Sequence, residues 1–225
     1  MKAVIFDIDD TLVSERDFVY SGYRAVSRSL SEEMGLPDQE IAERLIKLSG
    51  DGYARIFDRL YESLGLKPGE GRIAELSALY SHHEPEIHFY GDVLPALKAL
   101  KEGGMRLGII SDGDPLRQHN KLKACGGEEL FDRIIITDEL GDLSYRKPDP
   151  RSFEIMAEAL GSTYEEMAYV GDNPAKDFYI KRIYPIRTVR IVRPYGIYQD
   201  REYREGIRED MRIESLAQLT ELMLP

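Results

Sequence analysis

Near its start the 225-residue chain places two carboxylates and a hydroxyl, Asp7, Asp9 and Thr11, directly after the apolar run Ala3-Val4-Ile5-Phe6. A carboxylate held at a fixed backbone position can attack phosphorus, and a second one two residues on can exchange protons with the reacting groups. The grammar recurs twice. Leu107-Gly108-Ile109-Ile110 runs into Ser111-Asp112-Gly113, and Ala168-Tyr169-Val170 runs into Gly171-Asp172-Asn173-Pro174, with Asp177 five positions after Asp172. Lys147-Pro148 lies between the two. Each segment by itself also fits an acidic turn or a helix cap, because Asp, Ser and Thr favour both. In series they read as a site for phosphoryl transfer.

The same stretches reveal the elements that must position these groups. A short, branched apolar run suits a strand buried on both faces, as in a parallel sheet, and ligands of such sheets bind beyond the carboxyl ends of the strands. After Asp92 the pattern alternates: a helix ending at Gly103-Gly104, strand 105–110, a helix to about Leu122, strand 133–137, helix 150–160, strand 167–170, helix 174–182 and strand 187–192. This alternation predicts an α/β fold, a parallel sheet covered on both faces. A short strand at Met211-Arg212-Ile213 and a helix from Ser215 to Met223 follow.

Between about Ser14 and Tyr90 the pattern changes to helical spacing, with Leu30, Met34, Ile41, Leu45, Ile56, Leu60, Leu64, Ile73, Leu76 and Leu79 on the apolar face. Pro37, Gly50-Asp51-Gly52 and Lys67-Pro68-Gly69-Glu70-Gly71 punctuate it, which predicts an all-helical insertion of about four helices. The expected organisation is residues 1–13 and 91–225 as the α/β core and residues 14–90 as the inserted subdomain.

The ordered set Asp7-x-Asp9-x-Thr11, Ser111, Lys147, and Gly171-Asp172 with Asp177 resembles the four motifs of the haloacid dehalogenase superfamily, and the likeness spans essentially the whole chain. It implies a doubly wound, Rossmann-like core and makes the insertion a helical cap that closes over the active site; a solvated appendage is the other reading of those helices. Asp7 becomes the nucleophile that forms an aspartyl phosphate, and Asp9 the group that protonates the leaving alcohol and later takes a proton from water. Ser111 and Lys147 complete the catalytic set. Thr11, Ser111, Lys147 and the turn at Asp112 and Gly113 would hold the phosphoryl group. Relatives that cleave carbon–halogen bonds typically lack an acid at the place of Asp9, so its presence favours phosphate chemistry.

Four carboxylates in one pocket would take up protons unless a cation were supplied. The resemblance implies Mg2+ held by Asp7, the backbone carbonyl of Asp9, and Asp172, with Asn173 and Asp177 ligating or orienting. Asp10 stands where many relatives carry glycine, and Asp tolerates unusual backbone angles. The expected activity is a magnesium-dependent phosphatase of a small phosphorylated metabolite. A sugar phosphomutase, a 2-haloacid dehalogenase and a non-catalytic phosphate-binding regulator share the same frame.

Composition narrows the partners. A net charge of −11 without a long basic run argues against binding nucleic acid through its backbone. An anionic substrate must therefore be drawn in by local groups. No stretch reaches the apolar length of a membrane span, and the N-terminal run meets acid too early for a signal peptide, so a cytoplasmic location is expected. The single cysteine, Cys125, excludes an internal disulfide. His82, His83, His88 and His119 show no metal spacing with the acidic motifs. Arg16, Tyr20, Tyr23, Arg24, Tyr53 and Arg55 could reach a substrate beyond its phosphate, although aromatic residues at helical spacing equally suit a core.

Overall fold

In a computed structural model, which describes residues 1–223, the chain runs β1 (Ala3–Phe6), α1 (Glu15–Met34), α2 (Asp38–Ser49), α3 (Ile56–Ser63), α4 (Arg72–His82) and α5 (Val93–Glu102). It continues through β2 (Arg106–Ser111), α6 (Pro115–Ala124), β3 (Arg133–Ile136), α7 (Arg151–Leu160), β4 (Met167–Gly171), β5 (Arg187–Ile191), β6 (Met211–Ile213) and α8 (Leu216–Met223). The strands form one parallel sheet in the order β3-β2-β1-β4-β5-β6. This is a doubly wound α/β core. β1 is central, and the strand order reverses on either side of it, so its carboxyl end opens the crevice in which such sheets bind ligands.

All four residues of β1 are buried, as a central parallel strand covered on both faces requires. The flanking helices supply apolar stripes at i, i+3, i+4 and i+7: Val93, Ala96, Leu97 and Leu100 on α5, and Phe153, Met156, Ala157 and Leu160 on α7. Gly108 on β2 lets α7 sit close, because a Cβ there would stand 2.6 Å from Met156 Sδ. Phe6 pairs with Ile109 on one side and Val170 on the other. Asp7, the next residue, is therefore level with the ends of both neighbouring strands.

The chain divides into two compact units, Met1–Arg16 with the chain from Ile87 onward, and Asp17–Glu86. The second unit contains four helices, including all but the first two residues of α1, around a core of Val19, Tyr23, Leu30, Ile41, Leu45, Phe57, Leu60, Tyr61 and Leu76. Leu79 departs from the expected apolar face and is exposed. Tyr23 is not a substrate contact; its ring is 1% exposed within this core. His83 is also buried, bonding the Tyr80 carbonyl and Ser21 Oγ.

One expected element is absent. The helix over 174–182 is replaced by turns from Pro174 and a 3-10 turn at Tyr179–Arg182. Asp177, Phe178 and Ile180 are all buried, and so dense an inward run does not fit the single stripe of a short surface helix. Beyond β5, residues 192–203 are irregular but anchored. Arg193 donates to the Thr11 carbonyl at 3.1 and 2.8 Å and to Asp92 at 2.8 Å, while the Ile197 amide donates to Asp10 Oδ2 at 2.8 Å. No helix among the described residues is long and apolar enough to cross a membrane.

Candidate active site

The strand ends bring Asp7, Asp172 and Asp177 together: one carboxylate oxygen from each lies within 4.8 Å of the others. Asp7 follows β1, and its amide donates to Val170 O at 2.9 Å, which fixes it against β4. Its Oδ1 accepts from the Ile8 amide at 2.9 Å. Asp172 follows β4 and carries a buried Oδ2 with no partner among the described residues. Burial, then Asp177 and Asp7, push its carboxyl well above the ordinary range, and burial likewise raises Asp7 despite Lys147. Such a cluster of hard oxygen donors with an orphaned buried oxygen fits a divalent cation.

Asp177 plays a different part. Its Oδ2 accepts from the Asn173 amide at 2.8 Å and its Oδ1 lies 3.0 Å from Lys147 Nζ, so both oxygens are engaged. Gly171 makes this approach possible, since a Cβ there would stand 2.5 Å from Asp177 Oδ2. Asn173 Oδ1 is taken by the Ala175 amide at 3.0 Å.

Lys147 is buried with Nζ 3.1 Å from Asp7 Oδ1, and it donates to Tyr169 Oη at 2.6 Å. Burial disfavours its charge, but Asp177, Asp7 and Asp112 outweigh that and hold the ammonium protonated. The sequence pattern does not mark Tyr169 or Lys176 as site residues. Tyr169 looks like one more apolar strand residue, and Lys176 like a solvated turn lysine, yet Lys176 Nζ lies 2.8 Å from Asp112 Oδ2.

Asp112 acts through its side chain, accepting at Oδ1 from Thr137 Oγ1 and the Lys147 amide, each at 3.0 Å. Burial opposes its ionisation, but Lys147 and Lys176 prevail and hold it at about 2. The neighbouring Gly113 lines the cleft. Ser111, 1% exposed, accepts from Gln118 Nε2 at 2.9 Å. Thr11 is not brought to the cleft; it is wholly buried, and its Oγ1 has no hydrogen-bond partner among the described residues.

Asp9 sits in an arrangement that its motif did not reveal. Lys121 on α6, its side chain 1% exposed, lies 2.5 Å from Asp9 Oδ1 and 2.7 Å from Glu15 Oε2, and Gln118 Nε2 reaches Asp9 Oδ2 at 3.0 Å. Burial disfavours the Asp9 anion, yet Lys121 keeps its carboxyl below the ordinary range. Burial and Asp9 push Glu15 up to about 8, so the trio holds a proton on Glu15 near neutral pH. The spacing of Gln118 and Lys121, three apart on one helix face, was the available signal. Asp10 has φ of 49° and accepts from the amides of Glu15 and Ile197, so its side chain holds an unusual backbone angle that Asp tolerates.

These groups line one cleft of about 540 Å³, together with Asp114, Pro115, Arg117, Arg146 and Tyr198. That is the size of a small-molecule site, roughly 300–1,000 Å³. Cys125 lies outside it, its half-buried thiol pushed up to about 11 by burial, so it is no nucleophile. His119 pairs with Glu139 at 2.9 Å.

The sequence matches the family model described as haloacid dehalogenase-like hydrolase over residues 4–184. It is 34% identical over 213 residues to a glyceraldehyde 3-phosphate phosphatase of Methanopyrus kandleri, covering 91% of this chain and 88% of that one. It is 33% identical over 178 residues to a phosphoglycolate phosphatase of Cereibacter sphaeroides, covering 77% of each. The fold superposes on a crystal structure of a HAD phosphatase from Thermococcus onnurineus with a TM-score of 0.63 at 29% identity, covering 99% and 98% of the two chains.

Proposed function

The chain belongs to the haloacid dehalogenase-like hydrolases and is a phosphatase of small phosphorylated compounds, and on that footing we propose that it works through an aspartyl phosphate on Asp7 with Mg2+ as cofactor. The observation that carries this reading is the convergence of Asp7, Lys147, Asp172 and Asp177 at the ends of β1 and β4. Asp7, with Oδ1 fixed by the Ile8 amide, is oriented to attack phosphorus in line with the leaving oxygen.

In the first half-reaction the Asp7 oxygen forms a bond to phosphorus, the bond to the substrate oxygen breaks, and that oxygen takes a proton. In the second, water attacks phosphorus, gives up its proton, and releases inorganic phosphate with Asp7 restored. Asp9, with the proton held on Glu15, forms the acid–base couple; Lys121 favours the Asp9 anion, the form that accepts from water. Lys147 holds positive charge beside the nucleophile and a transferring phosphoryl group, and Tyr169 and Asp177 fix where it points. Ser111 offers a hydroxyl to a phosphoryl oxygen.

Asp7, the Asp9 carbonyl and Asp172 would hold Mg2+, with Asp177 and Asn173 orienting the site; when bound, the ion offsets carboxylate repulsion and draws charge from the phosphoryl oxygens. Inorganic phosphate release from an aryl phosphate and a panel of metabolite esters, glyceraldehyde 3-phosphate included, tests the reading. Release that needs Mg2+, stops with chelator and is lost in Asp7→Asn supports it. Undiminished turnover by Asp7→Asn, or no release from any ester, overturns it.

A further inference from the structure

The cleft beyond the nucleophile is rich in charge but has little cationic capacity to spare. Arg146 is bound to Asp138 through two bonds, at 2.7 and 2.6 Å. Lys176 is held by Asp112, and Lys121 is shared between Asp9 and Glu15. Arg117 is engaged as well. Lys147 stands over Asp7, where the phosphoryl group must lie. Carboxylates outnumber cations among the lining residues. Among the described residues of this lining, a second anionic group on the substrate would find no uncommitted ammonium or guanidinium, and the surplus of carboxylates would repel it.

Tyr198 is the aromatic residue of this lining. It is half-buried and lies on the segment after β5, which Asp10 and Arg193 tie to the loop carrying Asp7 and Asp9. That segment lies beyond residue 184, where the family match ends, so the shared catalytic frame does not account for it. A phenol both donates and accepts, and its ring offers apolar area; it suits a hydroxyl or carbonyl on a short carbon chain.

Resting on the phosphatase reading above, we propose that the substrate is a short phosphate ester whose remainder is uncharged and bears hydroxyl or carbonyl oxygen, and that Tyr198 is the specificity-determining contact for that remainder. Esters that carry a carboxylate beside the phosphate are disfavoured because the cleft leaves that carboxylate unpaired.

The test compares kcat/KM for matched short esters, glycerol 3-phosphate and glyceraldehyde 3-phosphate against 3-phosphoglycerate and phosphoglycolate, with an aryl phosphate as reference. The uncharged esters are expected to lead by about tenfold or more. Tyr198→Phe is expected to raise KM for them by about three- to tenfold with a much smaller change in kcat. Tyr198→Arg, which adds a cation at the same place, is expected to shift the preference toward the carboxylate esters. Equal or better use of the carboxylate esters by the native enzyme overturns the proposal, as does a Tyr198→Phe loss confined to kcat. Failure of the phosphatase reading itself would appear separately, as absent or Asp7-independent turnover of the aryl phosphate.

Discussion

Lys121 Nζ lies 2.5 Å from Asp9 Oδ1, a pairing across 112 residues that brings α6 onto the catalytic loop. The ammonium is buried and also donates to Glu15, so it balances the Asp9 anion beside a carboxyl that keeps its proton near neutral pH. Removing one partner of a buried ion pair typically costs about 3–5 kcal/mol, because the other charge is left uncompensated. Lys121→Met is expected to lower the unfolding free energy, read from a urea titration, by an amount in that range. Adding Glu15→Gln to it should leave that loss nearly unchanged near neutral pH, where Glu15 already carries a proton and the uncompensated charge is on Asp9. An unchanged midpoint in Lys121→Met would mean that water already compensates these charges.

Glu15 and Asp112 give stability opposite slopes with pH. Glu15 is pushed up to about 8, so the folded chain binds its proton more tightly than the unfolded chain. That contribution is complete below pH 4.5 and declines as pH rises toward 8. Asp112 is held down at about 2, so its contribution is present above 3.8 and is lost as pH falls through 2; its size is about 2 kcal/mol. Denaturant midpoints from pH 2 to 9 should fall at both ends. Glu15→Gln is expected to flatten the alkaline decline and Asp112→Asn the acid one, each leaving the other limb in place.

What the sequence made legible was the chemistry at the strand ends. Asp7 and Asp172 follow apolar runs, and parallel strands that close on one crevice bring such residues together whatever lies between them, whereas Lys147 was legible only through its place in the motif order. Side-chain partnerships arriving from other elements were not legible. Lys121 reads as one more lysine in a polar helix, and Tyr169 as one more apolar strand residue, until α6 and β4 are packed. Thr11 shows the converse: its motif position suggests phosphate contact, yet the turn buries it. The missing helix after Pro174 is a case of tertiary burial overriding a good helix-start signal.

Asp172 offers a contrast between stability and function. Its Oδ2 is buried without a partner among the described residues, and it faces Asp7 and Asp177. Asp172→Asn removes that repulsion, so the metal-free variant is expected to melt above the metal-free native chain, by about 2–4 °C for each kcal/mol relieved. Magnesium should raise the native melting temperature and leave the variant's nearly unchanged, and the variant should lose phosphatase activity. Thermal unfolding with Mg2+ and with chelator checks both. A metal-free Asp172→Asn that melts lower than native would show the carboxylate to be a structural acceptor.

Gly171 tests how far positioning alone controls the reaction. Its backbone is not in the left-handed region, so the requirement for glycine is one of space: an added Cβ would lie 2.5 Å from Asp177 Oδ2 and 2.8 Å from its Cγ. Asp177 cannot yield freely, because it holds the Asn173 amide on one oxygen and Lys147 on the other. Gly171→Ala should therefore cost about 1–3 kcal/mol of stability as an overpacked core site. It should also move Lys147 away from Asp7, although neither residue is altered. A displacement of about 1 Å at a reacting group lowers rates by roughly a hundredfold. The expected signature is a fall of that order in kcat for the aryl phosphate in a variant that remains folded at the assay temperature. A Gly171→Ala enzyme with native kcat would show that the contact relaxes without disturbing Lys147.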